Sequence, residues 1–208
     1  MVSSPYSRVF ASIRGSLPGV EMSETRKQPL SKAEKLMGGG VLLIVLSIVI
    51  PIWVGVEINR RQAMTRADLE MIVSASERFF VEYGYWPSPH MGTPNDMRYG
   101  RETGNDLVMN ALRAVDGPGN EGHRVNPNRI EYVRLPGHGR GRSGLNDAGE
   151  FLDPWGSPYQ IVLDTDMNNT CTMAHTIYPN QVGVGVVAWS FGPDRRSDTP
   201  QDILSWDN

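Results

Sequence analysis

The chain has 208 residues, a formal net charge of −3 and a hydrophobic fraction of 39%. This length allows one domain with an added segment, or two small domains. The slightly acidic balance argues against a general nucleic-acid binder, and the single cysteine, Cys171, excludes an internal disulfide and a cysteine-based zinc finger.

The N-terminal part predicts a short leader followed by a membrane-spanning helix. Residues 1–29 are rich in Ser, Pro and Gly, which is typical of a disordered segment. Residues 38–56 hold no charged residue, and a helix of that length measures roughly 28 Å, close to the hydrocarbon thickness of a bilayer. Pro51 inside this stretch predicts a kink. Basic residues are slightly more frequent before the stretch than after it, which favours a cytoplasmic N-terminus.

The helix is predicted to continue beyond the span and to end at Gly84, so that one long helix covers residues 30–84. Its second half carries an apolar stripe at the spacing of one helical face, which predicts packing on a sheet. The stripe consists of Leu69, Ile72, Val73, Ser76, Phe79, Phe80 and Tyr83.

Residues 85–208 predict a small head domain with many turns, because most of the Gly and Pro residues lie there. Asn105 is expected to cap a second, short helix. Strands are predicted at 130–135, 159–163 and within 182–190, separated by turns, which indicates an antiparallel sheet. The Gly-rich basic run at 137–144 predicts a solvated loop. The predicted fold class is therefore α+β, with a long N-terminal helix packed on a small antiparallel sheet.

No catalytic motif stands out, and we expect that the protein is not an enzyme. The four histidines lie far apart in sequence, and neither a nucleophile elbow nor a zinc-protease motif is present. An anchored hydrolase is a weak alternative, because it would depend only on scattered His and Asp residues.

Two acidic loops have the oxygen ligands that calcium prefers. The first contains Asp164, Asp166 and Asn168; a hairpin turn is the favoured interpretation there, with calcium as the lesser alternative. The second is a C-terminal loop whose spacing alone favours solvated carboxylates over a bound cation. Its candidate ligands are Ser190, Asp194, Asp198 and Asp202.

Three motifs in the tail resemble a known family. They are DPWGSPY at 153–159, SFGPD at 190–194 and DILSW at 202–206. In order and spacing they resemble the major pseudopilin of type II secretion systems, a member of the type IV pilin-like superfamily. The proline at position 51 and the Tyr85-x-Pro87 sequence after the helix are similar to positions in the same family. The resemblance implies a pilin-like fold.

The resemblance also implies a processing site and two residues for filament assembly. Its register places prepilin cleavage between Pro29 and Leu30, where the family has a glycine and an aromatic residue instead. Glu34 falls at the position of the family's assembly glutamate, and Pro51 at that of its helix kink. Two open alternatives are a cleaved filament subunit and a paralogue that keeps its leader.

The resemblance further implies calcium bound by Ser190, Asp194, Asp198 and Asp202. It implies a structural subunit of a filament that takes part in protein export across the outer membrane. The expected partners are further copies of the chain, other pseudopilins, the inner-membrane secretion platform and membrane lipid. The expected location is the bacterial inner membrane, crossed once, with a periplasmic head. The alternative function is a membrane-anchored calcium- or ligand-binding module that does not polymerise.

Overall fold

The computed structural model describes residues 31–173, 179 and 181–206, apart from the side chains of 32–36, 38, 39, 41, 42 and 44. The predicted leader, with its processing site at Pro29 and Leu30, lies outside the described residues. Glu34 lies in a helix, with its side chain outside the described part. The chain divides into two compact units, residues 1–47 and 48–208.

The longest element is helix α1, which spans Lys32–Tyr83 and includes Pro51. Its buried side chains Leu69, Ile72, Ala75 and Phe79 recur every three or four residues, so the predicted stripe faces the core. The helix ends at Gly84, which has a φ of 74° and donates its N–H to the carbonyl of Phe80 at 2.7 Å. This left-handed glycine is a common way to terminate a helix.

The predicted membrane span at residues 38–56 is wrong, and with it the transmembrane half of the predicted fold class. Within the described residues, no helix combines the length and the apolar character that crossing a bilayer requires.

In the described part of the chain, eight short strands form three antiparallel sheets instead of the single small sheet that was predicted. The α+β class still describes the molecule loosely. The main sheet has the strand order β1-β4-β7-β8. The pairs β2-β3 and β5-β6 form two-stranded sheets. The strands are β1 (Met97–Tyr99), β2 (Gly144–Leu145), β3 (Phe151–Leu152), β4 (Gln160–Leu163), β5 (Cys171–Thr172), β6 (Gln181–Val182), β7 (Val186–Ser190) and β8 (Ile203–Leu204).

The two central strands, β4 and β7, are buried along their whole length. Ile161 and Ala188 belong to the core that includes the buried stripe of α1. Val162 and Val187, which alternate with them along the strands, belong to a second cluster with Cys171. Side chains of a strand point alternately to opposite faces, so both faces of the main sheet are covered.

Two local predictions fail because tertiary contacts satisfy the backbone differently. No strand forms at 130–135, where the N–H groups of Tyr132 and Val133 donate to the carbonyl of Leu112. Asn105 precedes helix α2 (Asp106–Leu112), but its side chain makes no cap hydrogen bond to the helix. Its buried amide instead donates to the carbonyls of Phe151 and Tyr159 and accepts the N–H of Phe151, all within 2.9 Å.

Candidate metal centre

Three aspartates converge where the edge strand β1 meets β4. Asp96 precedes β1 and Asp164 follows β4, and the antiparallel register pairs Met97 with Leu163. The two carboxylates are therefore carried to the same end of the strand pair. Asp166 joins them from the turn after β4, and one carboxylate oxygen of each residue lies within 4.8 Å of the others. In the described part of the chain, this is the group of acidic side chains that could hold a metal ion.

The turn after β4 fixes two of the three carboxylates. The Asp164 oxygens accept the backbone N–H groups of Asn168 and Asn169 at 2.9 and 2.7 Å. Asp166 accepts both the backbone and the side-chain amide of Asn168, at 3.1 and 2.8 Å. Met167 and Asn169 adopt positive φ angles, which folds the turn back on itself. The backbone thus forms a turn at this site, as the favoured interpretation predicted. Hydrogen bonds within the turn hold the Asp164 and Asp166 carboxylates in place.

Asp96 connects the cluster to the hairpin of β5 and β6. Its Oδ2 accepts the backbone N–H of Thr172 at 2.6 Å, whereas its buried Oδ1 has no hydrogen-bond partner among the described residues. A buried carboxylate oxygen without a donor is unfavourable unless a cation or water satisfies it. The sequence analysis missed Asp96, because only the pairing of β1 with β4 brings it beside Asp164.

The cluster is electrostatically strained. Burial raises the pKa of Asp164, and the neighbouring Asp166 and Asp96 carboxyl groups raise it further. Burial also raises the pKa of the Cys171 thiol to about 12, and the charges of Asp96 and Asp164 add to the shift. A bound cation would reverse this effect, because opposite charge favours the ionised form. Three carboxylates without nitrogen or sulfur ligands suit a hard cation.

Ser190, the first predicted calcium ligand, makes a buried structural hydrogen bond. Its Oγ donates to Oδ2 of Asp153 at 2.6 Å and accepts the N–H of Gly192 at 3.0 Å. Asp153 also accepts the N–H groups of Trp155 and Ser157, both at 2.9 Å. These contacts form a turn at 153–158, within the DPWGSPY motif, and attach it to the end of β7.

The other predicted ligands lie in the loop between β7 and β8. Asp194 accepts the N–H of Arg196 at 3.1 Å, and Asp202 accepts the N–H of Asp198 and the hydroxyl of Thr199 at 3.1 and 3.2 Å. Burial raises the pKa of Asp202. Among the described residues, Asp194, Asp198 and Asp202 are not brought together as Asp96, Asp164 and Asp166 are. Metal binding by this loop stays a prediction.

Comparisons of the chain with protein-family models, curated proteins and solved structures give no match. The site is therefore interpreted from its own geometry.

Proposed function

We propose that this protein is a structural subunit of the pseudopilin kind, stabilised by calcium bound to Asp96, Asp164 and Asp166. The observation that carries the proposal is the convergence of these carboxylates at the end of β1 and β4. Calcium takes six to eight oxygen ligands in irregular arrangements, so nearby carbonyls and water would complete the coordination. The role of the metal is structural: through Asp96 it would hold the β5–β6 hairpin on the edge of the main sheet.

A surface of α1 supports the assembly part of the proposal. Ile50, Ile52, Trp53, Val54 and Val56 are each more than half exposed. A contiguous exposed apolar patch of this kind is typical of an interface. In a filament, these side chains would be buried against the same segment of neighbouring copies. Export of proteins across an outer membrane, the secretion partners and a periplasmic location of the head stay predictions.

The calcium site is tested by thermal unfolding of the full chain with calcium or with a chelator. At a calcium concentration about 100 times the dissociation constant, we expect the Tm to rise by about 5–10 °C. The D96N and D166N variants should lose this gain, whereas D147N, which changes an exposed carboxylate elsewhere, should keep it. A wild-type Tm that calcium leaves unchanged would exclude the metal.

Assembly is tested by disulfide cross-linking in the C171S background, with a cysteine introduced at Val54. Because each copy then carries one thiol, the proposal expects a cross-linked dimer, and D147C in the same background serves as an exposed control outside the apolar segment. Absence of cross-links together with a calcium-dependent Tm would identify the alternative function, a calcium-binding module that does not polymerise. The acidic cluster supports calcium binding under either function, and the cross-linking result distinguishes the two.

A further inference from the structure

The Gly-rich basic run at 137–144 lies against α1 rather than standing free. Arg60 donates from Nη2 to the carbonyl of Gly141 at 2.9 Å. A Cβ placed on Gly141 would lie 3.0 Å from Nη2 of Arg61, so the loop backbone passes directly over this guanidinium. Two residues later, Ser143 is buried, and its hydroxyl lies close enough to Asp68 of α1 to lower the pKa of that carboxyl group against the larger, opposite effect of burial. The run is therefore attached to the helix at successive points.

This attachment gathers arginines from two distant parts of the sequence on one surface. Arg60 and Arg61 come from α1, and Arg140 and Arg142 flank Gly141 with exposed side chains. We call these four residues the arginine surface. Glu57 accepts hydrogen bonds from Arg60 and Arg61 at 2.8–2.9 Å, which lowers its pKa to about 2 and keeps it ionised.

The positive charge of this surface is only partly balanced. Glu57 is the carboxylate within 4.0 Å of Arg60 and Arg61. Within the residues that the structure describes, neither Arg140 nor Arg142 has a salt-bridge partner. Glu57 thus pairs with the two guanidinium groups on the helix, and the two on the loop are available to an external anion. Arginine suits phosphate in particular, because its planar fork can donate two parallel hydrogen bonds.

Neighbouring side chains on α1 indicate which phosphate-bearing partner fits. Trp53, Val54 and Val56 lie one to two helical turns before Arg60 and are 72%, 53% and 61% exposed. Apolar and tryptophan side chains beside arginines match the boundary between acyl chains and headgroups of a lipid surface. Nucleic acid offers no apolar region to cover such side chains, and the chain as a whole is acidic.

We propose that the arginine surface binds the phosphate headgroups of an anionic phospholipid surface, with the adjacent apolar side chains of α1 in contact with its outer acyl region. The guanidinium groups of Arg140 and Arg142 would supply the preference for anionic over zwitterionic lipid. This inference does not depend on calcium or on filament assembly.

The test is flotation of the full chain with phosphatidylcholine vesicles, with or without phosphatidylglycerol, at low and high salt. Each arginine near an anionic surface strengthens binding several-fold, so R140Q/R142Q should bind phosphatidylglycerol vesicles about 30-fold more weakly at low salt. Its residual binding to pure phosphatidylcholine should match that of the wild type. High salt should remove most of the difference between the two vesicle types.

A matched control is R124Q/R129Q, which removes the same charge from two exposed arginines. The side chain of Asn128, next to Arg129, contacts Glu82 of α1, about 33 Å along the helix from Arg60 by the rise per residue. We expect this control to bind like the wild type, and R140K/R142K to retain most of the binding. Equal binding of the wild type to both vesicle types, equal loss in the control, or binding to RNA without binding to phosphatidylglycerol would overturn the proposal. A Tm equal to that of the wild type verifies that each variant is folded.

Discussion

The hydroxyl of Tyr159 donates a 2.7 Å hydrogen bond to Oδ2 of Asp68 and so joins the end of the DPWGSPY turn to the middle of α1. Tyr159 is fully buried, and burial raises the pKa of both groups. A buried pair of this kind favours one arrangement of helix and sheet, because any other arrangement would break a buried hydrogen bond.

We expect the hydrogen bond between Tyr159 and Asp68 to give a large coupling energy between the two side chains in measurements of the free energy of unfolding. Y159F should lower the free energy of unfolding by about 1–3 kcal/mol, because the Asp68 oxygen loses a buried donor. A double-mutant cycle with D68N, followed by urea unfolding, isolates the pairwise term. A coupling energy below about 0.5 kcal/mol would mean that the hydrogen bond is dispensable.

Asp164 predicts a specific pH dependence. Its folded pKa is raised above the ordinary value of 3.8, so the folded state holds the proton more tightly than the unfolded chain does. Without calcium, the stability from this group is fully present below pH 3.8 and is lost as the pH rises through the raised pKa. Calcium requires the ionised carboxylate, so its stabilising effect should grow over the same window.

Unfolding curves with and without calcium at several pH values measure this linkage. The D164N variant should lose both the fall in stability without calcium and the gain with it. A calcium effect of constant size across the window would contradict the assignment of Asp164 as a ligand.

Gly185, which immediately precedes β7, has no room for a larger side chain. A Cβ at this position would collide with the indole of Trp86, which is buried and stacks on Phe80 with a centroid distance of 4.5 Å. G185A should therefore destabilise the fold by about 1–3 kcal/mol through overpacking. G183A is the matched control, since a Cβ there meets nothing within 4 Å. Similar urea midpoints for the two variants would refute the close contact.

The reaction rate of the Cys171 thiol should report opening of the β5–β6 hairpin. It is fully buried, and its pKa is raised to about 12, so very little reactive thiolate is available in the folded state. Reaction with a thiol reagent should be more than about 100-fold slower in the folded protein than in urea. Calcium should slow it further, because Asp96 accepts the N–H of the adjacent Thr172.

The cysteine of D147C in the C171S background, at an exposed position, gives the reference rate for an accessible thiol. A Cys171 thiol that reacts as fast as this reference would contradict its burial. If calcium leaves the reaction rate of Cys171 unchanged, then the metal site does not stabilise the β5–β6 hairpin.

Local sequence determined the second half of α1, its end at Gly84 and the turn at 153–158. These features depend on contacts between residues a few positions apart, where helical periodicity and turn chemistry decide the conformation. The resemblance implied metal ligands in the loop of Asp194, Asp198 and Asp202. The acidic cluster that the structure describes consists instead of Asp164 and Asp166, together with Asp96.

Only the tertiary structure decided the sites. Asp96 meets Asp164 because β1 pairs antiparallel with β4, and it bonds to Thr172, 76 positions away. The side chain of Asn105 hydrogen-bonds to Phe151 of β3 and to Tyr159 rather than to its own helix. The basic run contacts Arg60 of α1, which is about 80 positions earlier in the sequence. Periodicity shows which residues face a core, but it carries no information about which distant strands or loops become neighbours, because that choice depends on how the whole chain satisfies its buried polar groups.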